Sequence, residues 1–216
     1  MQLPYDPFDA VTTISSADPS MGALIHAAGP YELNYQPLQD LFEALCQSIV
    51  YQQLSGKAAA TIFGRFQDLF EGDGTPIPSA VLKMDTDTLR SVGLSGAKTA
   101  AIQDLAEKTL SGDVPTMNAM RTMTEQEILD RLTLVRGIGP WTVEMLMIFR
   151  LGMPDVMPAT DLGIRKGFTR VFGIDALAPP KMIRERSELW KPFRSVASWY
   201  LWRAVDLDEF TPIGSL

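Results

Sequence analysis

Two glycines and a proline carry the clearest chemistry in this chain. In Leu134-Val135-Arg136-Gly137-Ile138-Gly139-Pro140-Trp141-Thr142-Val143-Glu144 the glycines flank one apolar residue between two helical patterns. Glycine permits positive φ and lets another molecule approach the backbone closely. Pro140 falls where the second helix begins, a position whose N–H has no intrahelical partner to lose. The amides that follow carry the positive end of the helix dipole. Together these features make a phosphate cradle that needs no basic side chain, with Gly137, Ile138, Gly139 and Thr142 as the expected contacts. Carbonyls of Thr133, Val135 and Ile138 can hold a monovalent cation, Na+ or K+, that bridges to the same phosphate. A plain helical hairpin turn uses the same residues, so the tripeptide alone leaves both readings open.

Other chemistry is scarce. The chain has 216 residues with one histidine, His26, and one cysteine, Cys46. An intrachain disulfide, a Cys-ligated iron–sulfur cluster and a Cys-based zinc site are therefore excluded. Catalysis has to run mainly on carboxylates, hydroxyls, backbone groups or aromatic rings. His26, Cys46, Met145, Met147 and Met153 read as packing residues on the pattern alone. The net charge of −7 argues against indiscriminate binding to polyanions. It leaves local phosphate contacts open, because counterion release follows those contacts rather than the global sum. Basic residues do gather late in the chain, from Arg165 and Lys166 to Arg203, though from charge alone a solvated helix surface is the better reading.

The elements that position these residues read as helices nearly throughout. Asp18-Pro19 starts a helix that Gly29-Pro30 stops. Apolar residues from Leu41 to Leu69 keep helical spacing, interrupted around Leu54-Ser55-Gly56. Further helices are expected over 85–91, 97–110, 124–135, 140–151, 160–172, 179–190 and 191–205, with Thr124 and Glu127 forming a capping box. No alternating Val/Ile/Thr-rich run supports a strand, so the fold class is all-α. No stretch approaches the roughly 20 apolar residues of a membrane span, and the first residues lack a signal-peptide pattern. A cytoplasmic, monomeric protein is the expectation.

The hairpin resembles the helix-hairpin-helix (HhH-GPD) superfamily that contains endonuclease III, the 8-oxoguanine glycosylases and the alkylbase glycosylases. The resemblance continues at Met157-Pro158-Ala159-Thr160-Asp161-Leu162-Gly163-Ile164-Arg165, with Asp161 placed 24 residues after Gly137. It extends to Ser48-Ile49-Val50-Tyr51-Gln52-Gln53-Leu54-Ser55 and to Trp190-Lys191-Pro192-Phe193-Arg194-Ser195, the latter similar to the alkylbase (AlkA) type. It implies a two-lobed helical core with the active site in the cleft between lobes. The central lobe spans about 36–150, with the hairpin at about 125–151; the second lobe combines about 1–35 with 160–216. The additional N-terminal β domain of bacterial AlkA proteins is not expected.

By the same resemblance Asp161 is the catalytic residue, although an aspartate opening a helix is on general grounds an N-cap. Cleaving an N-glycosidic bond builds positive charge on the sugar, and a fixed carboxylate in a dry site stabilises that charge and can orient the attacking water. Family members that also cut the strand have a lysine just after the hairpin for Schiff-base chemistry; Trp141 stands there instead, implying a monofunctional hydrolase. Trp141, Trp202, Met145, Tyr51 and Phe42 are the base-pocket candidates. An indole face attracts a cationic alkylated base by about 0.5–2 kcal/mol, whereas a Trp on an amphipathic helix is ordinarily core, the reading preferred for Trp199. The segment Gly93-Leu94-Ser95-Gly96-Ala97-Lys98 matches the family's wedge region but offers Gly96 where a bulky residue is expected. Leu94 or Gln53 is the substitute, with Ser95 a further DNA contact. The implied activity is excision of 3-methyladenine- or 7-methylguanine-type bases from double-stranded DNA in base excision repair, with no cofactor required. A non-catalytic hairpin protein that only reads damage is the alternative, and a helical scaffold with an accidental hairpin the more distant one.

Overall fold

Asp-Pro steps set the first two helices. In the computed structural model, which describes residues 3–208 and 210, α1 (Pro7–Ala17) is capped by Asp6 and α2 (Pro19–Ala28) by Asp18. Each aspartate accepts a backbone N–H of the first turn, from Phe8 at 2.8 Å and from Ser20 at 3.2 Å. The sequence reading found only the second of these helices; Asp6-Pro7 carries the same signal six residues from the start. All regular elements among the described residues are helical, with no strand.

The interruption at Leu54-Ser55-Gly56 separates α3 (Leu41–Tyr51) from α4 (Gly56–Gln67). Short helices α5 (Pro78–Val81) and α6 (Thr86–Ser91) lead into the long α7 (Gly96–Ser111), followed by α8 (Met117–Met120). α5 and α8, a single turn each, were not anticipated, because four residues are too few to show a helical period. The capping box opens α9 (Glu125–Leu132): the Glu127 amide donates to Thr124 Oγ1 at 3.3 Å and the Thr124 amide to Glu127 Oε2 at 2.7 Å. After the Gly137–Gly139 turn come α10 (Pro140–Phe149), α11 (Leu162–Val171), α12 (Pro180–Ser187), a 3-10 turn (Glu188–Trp190) and α13 (Arg194–Asp206).

The chain divides into two compact units, Leu38–Val143 and the combination of Met1–Pro37 with Glu144–Leu216. The last turns of α10, expected in the central lobe, thus group with the terminal segments. In the central unit α7 is the organising helix and packs on α3, α5 and α6. Leu45, Cys46, Ile49, Phe66, Leu89, Ile102, Leu105, Ile128 and Leu132 are fully buried or nearly so. Cys46 is inert packing, its thiol pushed well above the usual range by burial and then by Asp40 and Glu43. His26, also expected to pack, is instead exposed on the last turn of α2.

In the terminal unit α11 lies on α13, and both meet α2. The approach of α11 to α13 is close because Gly167 has no side chain: a Cβ there would lie 1.9 Å from the Leu201 carbonyl oxygen. Ile14, Leu24, Phe168, Phe172, Trp190 and Tyr200 fill the core beneath. Asp18, fully buried, ties the chain's two ends together. It accepts Arg186 Nε and Nη2, both at 2.9 Å, and Trp190 Nε1 at 2.9 Å.

Candidate functional site

In the central unit the hairpin is built from backbone geometry. Gly137 has φ +78°, a left-handed conformation that disfavours any side chain. The Ile138 amide closes the turn onto the Val135 carbonyl at 3.1 Å, and the Ile138 side chain is buried, anchoring the turn. The first bond of α10 runs from the Val143 amide to the Gly139 carbonyl at 3.3 Å. The amides of Gly139 and Thr142 precede that bond, at the positive end of the helix dipole. A Cβ at Gly139 would meet nothing in the protein within 4 Å. The fold itself makes no demand for glycine there.

Side chains hold this turn from behind. Asp104 of α7 accepts the Arg136 amide through Oδ2 at 2.7 Å and pairs with Lys108. Burial opposes its ionisation, but the Arg136 amide and Lys108 outweigh that and keep the carboxyl below its ordinary range. Gln52 Nε2 donates to the Gly137 carbonyl at 2.9 Å.

Gln52 also begins a second feature. Its φ −56°, ψ 131° and the φ +57° of Gln53, with the Leu54 amide 3.4 Å from the Tyr51 carbonyl, define a type II turn. Gln53 occupies the position where glycine is favoured and is the one non-glycine residue with positive φ among those described. Leu54 beside it is 39% exposed. Of the two wedge candidates from sequence, Gln53 therefore stands at an exposed tip. Leu94 is corrected: at 4% exposure it belongs to the core and has no side chain to offer. Leu54, not singled out from the sequence, shares this exposed turn just before the Ser55-Gly56 helix break. Ser95 is exposed and caps α7, accepting the Lys98 amide at 3.3 Å.

Among the pocket candidates of this unit, Trp141 is 52% exposed on the first turn of α10 and Tyr51 36% exposed at the end of α3, edge-on to Phe63. Phe42 is a second correction. It is buried, on the inward face of α3 with Leu45, Cys46 and Ile49, because the helical period places it on the apolar stripe.

In the terminal unit Asp161 caps α11 and does more. Its Oδ1 accepts the Ile164 amide at 2.9 Å and Trp202 Nε1 at 2.8 Å. The two readings of this aspartate, N-cap and functional carboxylate, are thus compatible: the cap bond fixes the group's orientation. Trp202 is held in turn by stacking on Phe149, centroids 5.6 Å apart at 28°. Gly163 makes room for the pair, since a Cβ there would lie 2.7 Å from Trp202 Cδ1 and 3.0 Å from Asp161 Oδ1. Met145 is half-buried. Trp199 is half-buried, packed edge-on against Tyr31 and Tyr200.

The Trp190–Ser195 motif bears on Asp161 through the loop preceding it. Arg194 Nε and Nη2 grip Asp155 Oδ1 and Oδ2 at 2.6 and 3.0 Å. Ser195 Oγ donates to the Met153 carbonyl at 2.6 Å and accepts the Val156 amide at 3.0 Å. These bonds fix residues 153–156, from which the chain runs to Asp161.

A Gly137–Pro140 hairpin in one unit and a cap-held aspartate joined to an indole in the other are the marks of a helix-hairpin-helix protein. Residues 46–192 match the HhH-GPD superfamily of base excision DNA repair proteins, and the chain belongs to that family. It is 36% identical to DNA-3-methyladenine glycosylase 1 of Schizosaccharomyces pombe over 199 residues, 92% of this chain and 87% of that protein. A structure of an S. pombe 3-methyladenine DNA glycosylase in complex with abasic DNA superposes with a TM-score of 0.77 at 36% identity, covering 94% of this chain and 99% of that one. A Bacillus halodurans DNA-3-methyladenine glycosidase gives a TM-score of 0.83 at 32% identity, covering 94% and 91%.

Proposed function

We propose that this protein is a monofunctional DNA glycosylase that hydrolyses the N-glycosidic bond of alkylated bases in duplex DNA. The observation that carries the reading is Asp161, held through Oδ1 by both its own helix and Trp202 Nε1, in a chain 36% identical to a 3-methyladenine glycosylase. A carboxylate fixed before the reaction stabilises the developing sugar cation without reorganising. One carboxylate suffices when the leaving base already carries positive charge, as N3- and N7-alkylated purines do. Trp141, half-exposed, offers an indole face that attracts such a cation by about 0.5–2 kcal/mol. Trp202 contributes chiefly through its N–H, because one of its faces is stacked on Phe149.

The hairpin amides grip a backbone phosphate, and Gln53 with Leu54 fills the gap left by the extruded base, offsetting part of the few kcal/mol that extrusion costs. Neutral carbonyls of Thr133, Val135 and Ile138 suit a monovalent cation, which would add positive charge beside that phosphate. No helix among the described residues is long and apolar enough to cross a membrane; the protein works as a monomer where chromosomal DNA lies, in the cytoplasm or nucleoid.

The test is release of free bases from alkylated duplex DNA by wild type and Asp161→Asn, without added metal or nucleotide. Wild type should release 3-methyladenine and 7-methylguanine and leave uncut abasic sites, whereas Asp161→Asn should bind DNA and lose at least about a hundredfold in rate. Borohydride should trap no covalent complex. DNA binding without release by either protein would establish a non-catalytic damage reader instead.

A further inference from the structure

Lys98 is used in an unusual way. It sits in the first turn of α7, where the helix dipole disfavours a cation, and burial lowers its proton affinity below the ordinary lysine range. Its Nζ donates to the Val50 carbonyl at 2.8 Å and to the Gln52 carbonyl at 2.9 Å. Both acceptors belong to the end of α3, whose last carbonyls have no intrahelical donor and carry the negative end of its dipole. Lys98 therefore caps one helix from the body of another, and the carbonyls it grips bracket the start of the Tyr51–Leu54 turn.

The same turn is fastened on its other side by Gln52 Nε2, 2.9 Å from the Gly137 carbonyl. Six residues further along α7, Asp104 fastens the Arg136 amide at 2.7 Å. One rigid helix thus sets both the Gln53–Leu54 tip and the hairpin, with Gln52 linking them directly. A tip in this position has to be held, because a non-glycine residue at φ +57° costs about 1–2 kcal/mol relative to right-handed backbone.

We propose that Lys98 is a positioning residue for base extrusion: with Gln52 it locks the Gln53–Leu54 turn at a set distance from the phosphate-binding hairpin, so that the turn can occupy the vacated base stack. The inference rests on reading Gln53–Leu54 as the wedge. It separates Lys98 from an ordinary phosphate-contacting lysine, whose removal weakens all DNA binding alike.

Single-turnover excision of 7-methylguanine by Lys98→Met and by Lys98→Arg tests this on two duplexes, with the lesion opposite cytosine or opposite an abasic site. Extrusion is cheaper for the unpaired lesion. Lys98→Met should lose about tenfold or more in rate on the paired substrate and less than about threefold on the unpaired one, the difference corresponding to the extrusion step. Lys98→Arg should recover most of that loss. The salt dependence of binding to undamaged DNA should keep its slope, whereas a lost phosphate contact lowers it by about one. Gln52→Ala, which leaves the Lys98 bonds to backbone intact, should show the same paired-over-unpaired split. Equal losses on both substrates in both variants, or a reduced salt slope in Lys98→Met, would overturn the proposal. Wild type inactive on both duplexes would remove the glycosylase reading itself, and this inference with it.

Discussion

At the scale of the residue, the decisive bond is the one from Trp202 Nε1 to Asp161 Oδ1 at 2.8 Å. A tryptophan in an alkylbase enzyme invites a stacking role, but here stacking on Phe149 serves to aim the N–H. A hydrogen bond to a charged group is worth about 1.5–3 kcal/mol. Trp202→Phe keeps a ring against Phe149 and removes the donor, so kcat should fall by about 10- to 100-fold with KM near wild type, while Tm drops by several degrees. Steady-state kinetics with a thermal melt would show this. A rise in KM with kcat unchanged would mean instead that the ring binds the base. Asp161 itself answers a question that sequence leaves open, since one oxygen both caps α11 and receives the indole.

At the scale of the element, the hairpin depends on α7 as much as on its own glycines. Gly137 adopts its left-handed conformation cheaply, but nothing in that conformation fixes where the turn sits. The Asp104–Arg136 amide bond does so, and a carboxylate accepting a backbone N–H is a charge-assisted contact. Asp104→Ala frees the turn and strands Lys108. Affinity for undamaged duplex should drop by about 5- to 20-fold, following the loss of about 1–2 kcal/mol of preorganisation. Fluorescence anisotropy at fixed salt measures it, and unchanged affinity would show that the hairpin holds its place unaided. The grip of Arg194 and Ser195 on residues 153–156 is the corresponding device on the other unit, where a C-terminal motif steadies the approach to Asp161.

At the scale of the whole molecule, Asp18 links residues 168 and 172 positions away through its bonds to Arg186 and Trp190. Burial opposes ionisation of this carboxyl, but hydrogen bonds from Arg186 and Trp190 and the charge of Arg186 outweigh it and hold its pKa below the ordinary value. The stabilisation is therefore present above the unfolded-state pKa of about 4 and disappears as pH falls through the lower folded-state value. Asp18→Asn leaves the largely buried Arg186 uncompensated and should destabilise the protein by about 3 kcal/mol at pH 7. Urea unfolding at pH 7, 5 and 3 should show the gap between wild type and variant narrowing at the lowest pH. A gap independent of pH would mean that shape rather than charge matters at this position.

What the sequence determined by itself was local. The Gly137–Pro140 turn, the capping box at Thr124 and Glu127, the helix break at Leu54–Gly56 and the Asp161 cap all rest on the conformational preferences of a few adjacent residues, and such preferences act within a turn or two of the chain. The all-α class follows from their sum. Resemblance to a family then supplied what local patterns lack, the roles proposed for Asp161 and Trp141. Only the tertiary structure decided burial in the connections between helices, where no period applies: Leu94, in the loop between α6 and α7, is core, as is Phe42 on the apolar stripe of α3. It also decided the bonds that span long stretches of sequence: Lys98 to Val50 and Gln52, Gln52 to Gly137, Trp202 to Asp161. A lysine, a glutamine and a tryptophan have side chains long enough to reach many partners. Which partner each one finds is set by where packing leaves the neighbouring helix, and no spacing along the chain records that.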